Sequence, residues 1–377
     1  MKIACISTSR VPSDTANSIQ VMKACHALVQ EGHEVRLIVP AVEGPRAKWE
    51  QLSDRYGISQ PFPIEWIRTF PRLKRNDFAW DAFHNAQKTD VDLLYTWTIQ
   101  SAVLAVITGT PVIYELHDLP TGRLGPLWFR IFLRFGKHKR LLPITRALLH
   151  AVESIYGKID PKQVVVAPNG VDLEQYENLP GPMGARAALN LPEAPTVLCS
   201  GHLYAGRGVD IFLGLAGRFP KASFVWVGGR PEDVQIVRGW ADSHALSNVQ
   251  LTGHVDQRRL PLYQAAADVL LMPYARSVAG SSGGNSADFC SPMKMFDYLA
   301  AGRAILSSDL PVIHEVLNDT NACFAQPEDV DRWSKQLERL LSDRLLRDKL
   351  GVKAREDAQR YSWRARAALA VAGMGKK

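Results

Sequence analysis

Short apolar runs alternate with longer amphipathic stretches along this chain. The first run covers residues 2–7. A polar stretch follows, then a segment at 18–31 with Ile19, Met22, Ala27 and Leu28 at helical spacing. Gly32 ends it, and a second apolar run covers 35–40. Strand, helix, strand is a βαβ unit, which predicts a parallel sheet with right-handed crossovers. The pattern continues with predicted strands at 64–69, 92–97, 112–116, 141–144 and 164–167. Pro168-Asn169-Gly170 then reads as a turn, and a Pro/Gly-rich stretch covers 180–195. A second alternating set follows, with strands at 196–200, 223–227, 249–252, 269–272, 304–307 and 322–325 and a helix near 209–218. The tail from 329 to 374 reads as mainly helical. The pattern predicts two doubly wound α/β domains joined near residue 170. Ligands of such sheets bind at the carboxyl ends of the strands, here in a cleft between the domains.

The most informative stretch is 288–309, DFCSPMKMFDYLAAGRAILSSD. Ser291 reads as a helix N-cap and Pro292 as the first helical position. Met293, Met295, Phe296, Leu299 and Ala300 follow at helical spacing, Gly302 stops the helix, and 304–307 is a short buried strand. Two charges break the apolar pattern. Lys294 lies in the first turn, where the helix dipole disfavours a cation, and Asp297 lies one turn on. A lysine at a helix start suits a phosphate, and a carboxylate one turn later suits a ribose diol. The competing reading is a solvated Lys–Asp pair on an ordinary amphipathic helix.

A length of 377 residues suits two domains. The composition, 46% hydrophobic and 22% charged, is that of a soluble globular protein. A net charge of +7 suggests an anionic partner without choosing a nucleotide, a membrane or a nucleic acid. Cys5, Cys25, Cys199, Cys290 and Cys323 are scattered, with no C-x-x-C pair. That points to a reducing compartment and away from zinc or a disulfide framework. The apolar run at the N-terminus is too short for a signal peptide. The uncharged stretch 93–114 contains Gly109 and Pro111 and reads as strand–helix–strand rather than a membrane span. The first βα turn, STSRVPSDTANSIQ, has no G-x-G-x-x-G, which disfavours a dinucleotide oxidoreductase. Asp90-Val91-Asp92 imitates a metal-binding D-x-D, but fits better as the turn into a buried strand.

Gly206-Arg207-Gly208 stands between the first strand and helix of the second half. Glycines let backbone approach a phosphate, and an arginine adds a bidentate charge; the alternative is a turn with a surface arginine. With Lys294 it gives two helix N-termini and two cations in one domain, an arrangement suited to a diphosphate. In the first half, Tyr114-Glu115-Leu116-His117-Asp118 follows a strand and puts His117 at its carboxyl end, as a catalytic or a surface histidine.

The chain resembles the retaining, GT-B-fold nucleotide-sugar glycosyltransferases of family 4, nearly end to end. The resemblance rests on EGHEVRLIVP, ELHDLP, APNGVDLEQY, GHLYAGRGVD, LTGHVDQRRLPLYQAAADVLLMPY and SPMKMFDYLAAGRAILSSDLPVIHEVL. It implies two Rossmann-like domains facing a central cleft: an acceptor domain over 1–172, and a donor domain over 173–359, with a C-terminal helix within 360–377 returning to the first. Arg207 matches the family's diphosphate-binding cation. Asp297 matches the second acid of its glutamate pair, which holds the donor ribose. Gly253, His254 and Val255 match the loop beside the base, and His117 the histidine beside the reacting sugar. Asn17 and Ser18 occupy the loop over the donor phosphates. Gly206 and the 288–293 segment (Asp288, Phe289, Cys290, Ser291, Pro292, Met293) border the donor, and Asp118 and Asn169 the acceptor side. The chain departs from the family at His202, where an arginine is common. The first glutamate falls on Phe289, with Asp288 one residue off register. The SPxKxF(E/D)Y pattern resembles a variant subgroup.

The resemblance implies a retaining hexosyltransferase using a UDP- or GDP-sugar on a glycan, glycolipid or lipid-linked acceptor. No metal or other cofactor is expected, with His117, Arg207 and Lys294 as the catalytic set. A non-catalytic nucleotide-sugar-binding subunit is the alternative. In 123–140, RLGPLWFRIFLRFGKHKR, Trp128, Phe129, Ile131, Phe132, Leu133 and Phe135 interleave with six basic residues. That reads as a basic amphipathic helix on an anionic membrane surface, or as a core-packing helix with a solvated edge. The expected location is cytoplasmic, and under the membrane reading of 123–140 it is peripheral on the inner face of the membrane. No nucleic-acid module is recognised.

Overall fold

The structure, a computed structural model, describes residues 1–41, 46–69, 76–277 and 286–375. The chain divides into two units, one of Met1–Asn169 with Trp363–Lys377 and one of Gly170–Ser362. The divisions fall three residues from the boundaries expected at 172 and 360.

The first unit holds a six-stranded sheet of β1 (Lys2–Ile6), β2 (Glu34–Pro40), β3 (Ile64–Ile67), β4 (Leu93–Thr96), β5 (Val112–Leu116) and β6 (Lys139–Pro143). Its order is β3-β2-β1-β4-β5-β6, and every pair is parallel. The second unit repeats the plan with β7 (Thr196–Ser200), β8 (Ser223–Val227), β9 (Val249–Leu251), β10 (Val269–Met272), β11 (Ala304–Ser308) and β12 (Cys323–Ala325) in the order β12-β11-β10-β7-β8-β9. The central strands β1, β4, β5, β7, β8, β10 and β11 are buried almost throughout, as strands covered by helices on both faces must be. Each sheet reverses its winding once, between β1 and β4 and between β7 and β10. Such a switch point opens a crevice at the strands' carboxyl ends.

Several expectations need correction. The run at 164–167 forms no strand of its own: Val164 makes one isolated bridge to Leu141, and Val165 and Ala167 donate to the carbonyls of Leu141 and Pro143. The first helix is Ala16–Gln30, because Thr15 is the N-cap and accepts from the Ser18 amide. The helix after the 288–291 loop is Met293–Ala301; Pro292 is its N-cap, with no side-chain cap bond, so Ser291 does not serve that role. Gly302 ends it in the left-handed conformation, as expected. Asp92 accepts from the Lys2 amide at 2.8 Å, at the amino ends of β1 and β4 and so at the opposite end from the crevice. The stretch 93–114 folds as β4, the helix Ile99–Thr108, and β5. Among the described residues no helix is long and apolar enough to cross a membrane.

The segment 123–140 divides its apolar and basic residues between the interior and the surface. In the helix Gly125–Arg134, Phe129 and Phe132 are buried against Tyr114 and do not belong to a surface face. Leu124, Leu127 and Phe135 are about half exposed, beside exposed Arg123, Arg130, Arg134 and Lys137. Lys139 is buried rather than solvated. Its ammonium donates to the carbonyls of Phe132, Leu133 and Phe135, filling acceptors that the helix end leaves open. Arg140 donates to the Ala370 carbonyl at 2.6 Å and is likewise withdrawn from the surface set.

Candidate active site

In the second unit the loop after β7 and the segment after β10 meet the start of the Met293–Ala301 helix. Arg207 lies between two tyrosines. Its Nη2 donates to the Tyr204 hydroxyl at 2.8 Å and its Nη1 to the Tyr274 hydroxyl at 3.0 Å. The guanidinium carbon is 4.9 Å from the Tyr204 ring centre and 5.2 Å from that of Tyr274. Lys294 Nζ approaches the same Tyr274 ring to 4.9 Å. Two cations thus converge on one aromatic ring, whose electrostatics favour them. Lys294 also sits near Gly201: a Cβ on that glycine would lie 3.6 Å from Nζ. The ring of His202 stacks on Tyr204 with centroids 5.4 Å apart.

The helix Val209–Arg218 starts at Gly208, and neither it nor Met293–Ala301 has a side-chain cap. Their first-turn N–H groups therefore suit an external acceptor, and the dipoles favour an anion. Gly208 is forced by space. At φ +79, a Cβ would lie 1.9 Å from the Pro273 carbonyl oxygen, so the loop after β7 closes onto the end of β10 only without a side chain.

The 288–291 loop lies in reach of the same charge. Burial pushes the Cys290 thiol up to about 11, and the Arg207 guanidinium partly offsets it. Asp288 is exposed at the end of a short 3-10 turn, Ser286–Asp288. Phe289 and Cys290 are half-buried, Ser291 is buried, and Pro292, Met293 and Lys294 are half-buried at the helix start. Asp297 lies against the buried hydroxyl of Tyr176; burial and the Asp297 charge together raise that phenol. Tyr176 also donates to Gln264 Oε1 at 2.8 Å. Gly253 takes φ +70, and its carbonyl accepts from the Gly228 amide at 2.9 Å. His254 is exposed beside Asp256 at 3.6 Å, next to half-buried Val255.

In the first unit, His117 follows β5 and its Nε2 lies 2.8 Å from Glu115 Oε1. Asp118 accepts from the Leu119 amide, and Asn169 is buried. Asn17 is exposed in the first helical turn. Ser18 is corrected from a loop residue to a buried one: its hydroxyl bonds that of Tyr56 at 2.6 Å, and its amide is used in the cap.

Sequence reasoning missed the supporting residues. Tyr204, Tyr274 and Tyr176 stand inside quoted motifs but received no role. Glu115, Gln20, Tyr95 and Arg366 were also passed over. Glu115 was visible as a lone acid inside an apolar strand, and Arg366 as an arginine in an alanine-rich helix.

Residues 18–175 match the model of Glycosyltransferase Family 4, and residues 194–343 that of Glycosyl transferases group 1. A phosphatidyl-myo-inositol mannosyltransferase of Mycolicibacterium smegmatis is 26% identical over 360 residues, covering 91% of this chain and 85% of the relative. Among solved structures, sucrose-phosphate synthase from Thermosynechococcus elongatus superposes with a TM-score of 0.73 at 18% identity, over 97% of this chain and 96% of the other. Anabaena Alr3699/HepE in complex with UDP-glucose gives 0.74 at 16% identity, over 99% and 98%. Twin parallel sheets with this strand order and these neighbours define the GT-B fold class. Within that class the chain belongs to glycosyltransferase family 4.

Proposed function

We propose that this enzyme is a retaining, metal-independent hexosyltransferase that takes its sugar from a nucleoside diphosphate. The observation that carries the reading is the convergence of Arg207 and Lys294 on Tyr274 beside two uncapped helix N-termini. As the glycosidic bond breaks, negative charge grows on the leaving diphosphate. Fixed cations and backbone dipoles stabilise that charge more than the ground state, which is what lowers a barrier. Asp297, backed by Tyr176, takes the ribose diol, and the Gly253–Val255 loop borders the base. A UDP-sugar is the first choice of donor, supported by the UDP-glucose complex of the Anabaena structural neighbour. Transfer proceeds on the face of the leaving group, a donor phosphate oxygen receiving the acceptor proton while His117 positions the sugar.

The acceptor is a lipid-linked glycan or glycolipid, and the protein works at an anionic membrane surface. The mannosyltransferase relative supports a lipid acceptor by its name. Half-exposed Leu124, Leu127 and Phe135 among exposed arginines suit insertion at a headgroup boundary.

Thermal stabilisation by UDP-, GDP-, ADP- and dTDP-sugars, with EDTA present, tests the donor. A ligand at about 100 times its dissociation constant adds about 2.7 kcal/mol. Arg207→Ala and Lys294→Ala are each expected to lower kcat about 100- to 1,000-fold in folded protein. Near-normal turnover in both would overturn the reading. Product anomeric configuration by NMR checks retention. Binding without transfer or donor hydrolysis would favour a non-catalytic subunit.

A further inference from the structure

His117 does not stand free at the end of β5. Glu115 precedes it by two positions, so both side chains leave the strand on one face. Glu115 is fully enclosed, and its carboxylate accepts from four donors carried by separate elements. Oε1 accepts from His117 Nε2 at 2.8 Å, from Gln20 Nε2 at 2.5 Å and from Arg366 Nη2 at 2.7 Å; Oε2 accepts from the Tyr95 hydroxyl. Arg366 comes from the C-terminal helix Trp363–Val371. It is fixed in turn by donating Nε to the Pro168 carbonyl at 2.8 Å and Nη2 to that of Ala167 at 3.2 Å.

An acid in this position stays ionised. Burial raises its pKa, but the Arg366 charge and the hydrogen bonds from His117 and Tyr95 outweigh that and bring it to about 2. An ionised carboxylate has lone pairs and no proton to give. The imidazole nitrogen that faces it therefore carries a hydrogen. In a neutral ring the other nitrogen then has none.

We propose that Glu115, held in place by Arg366, fixes His117 as its Nε2–H tautomer and so presents Nδ1 as a hydrogen-bond acceptor for a hydroxyl of the bound sugar or acceptor. Glu115 and Arg366 are positioning residues, acting through His117. The logic is that of a buried acid orienting a catalytic imidazole, with an arginine from the distant end of the chain added behind it. The role at the sugar rests on the proposed function; the fixed tautomer does not.

The test is long-range ¹H–¹⁵N correlation on unliganded protein with ¹⁵N-labelled histidine, above the titration range of the ring. His117→Asn identifies the signals. A protonated Nε2 with a pyridine-like Nδ1 is expected, and an Nδ1–H tautomer or an even mixture would overturn the proposal. In Glu115→Gln the new amide can donate as well as accept, so the preference relaxes. An Nδ1–H population is then expected, with kcat reduced about 100-fold and the donor KM within about twofold. Unchanged tautomer and kcat would also overturn it. Should Glu115→Gln not fold, the wild-type spectrum decides alone. An Nε2–H ring in a protein that transfers no sugar would leave the proposal standing and sink the transferase reading instead.

Discussion

At Tyr274 a single ring carries two positive charges, and its hydroxyl and its face do separable work. Tyr274→Phe keeps the ring that Lys294 and Arg207 approach and loses the acceptor for Arg207 Nη1. Tyr274→Ala loses both. Cation–ring contacts are worth about 0.5–2 kcal/mol each. Isothermal titration with UDP-glucose should show alanine weakening affinity at least about tenfold more than phenylalanine. Gly208 makes a different kind of prediction. Gly208→Ala adds a methyl where the Pro273 carbonyl already sits, at a φ that L-residues avoid. The loop must move, and Arg207 moves with it. Donor binding should fall in step with melting temperature, which calorimetry on the same samples checks. The motif G-R-G made the loop legible; it did not announce that Gly208 also lets the loop close onto the end of β10.

At the scale of elements, the helix Gly125–Arg134 divides its apolar residues between two tasks. Phe129 and Phe132 close the core, while Leu127 and the following Phe135 face outward. Leu127→Ser with Phe135→Ser should cost little stability, within about 0.5 kcal/mol per site as for ordinary surface changes. The pair should abolish salt-sensitive binding to anionic vesicles. Binding that survives both changes, or ignores lipid charge, removes the membrane reading. The alternation of apolar runs and helical segments made nearly every strand of the two sheets legible, because strands buried on both faces must be continuously apolar. The run at 164–167 has the same signature but only one bridge, since its pairing is set by what β6 leaves open, not by local pattern. Lys139 and Arg140 read as surface charge because sequence shows composition, not the carbonyls they cap. Asp297 was legible as an acid on a helix; Tyr176 behind it was not, since the two are joined only by tertiary contact.

The first unit as a whole is completed by the last helix of the chain. Arg366 is the counter-charge for Glu115, so losing either partner leaves the other charged and enclosed, a cost of about 3–5 kcal/mol. Arg366→Met should destabilise strongly, and Arg366→Met with Glu115→Met much less, as urea denaturation can show. The sign with pH follows from the depressed carboxyl. Its contribution is fully present above the ordinary value of 4.5 and is lost as pH falls toward about 2. The stability gap between wild type and Glu115→Gln should therefore be constant near neutrality and narrow below about pH 4.5.

The two partners in this ion pair are separated by 251 residues. A ribosome adding roughly 5–20 residues per second needs on the order of 10–50 s to cover that distance. For that interval the nascent sheet carries a carboxylate whose cation has not yet been made. Gln20 and Tyr95 are already synthesised and can hold it by hydrogen bonds alone, or it can take up a proton. Emergence of the helix Trp363–Val371 then supplies the missing cation. A chain released early would keep the enclosed Glu115 carboxylate without its counter-charge.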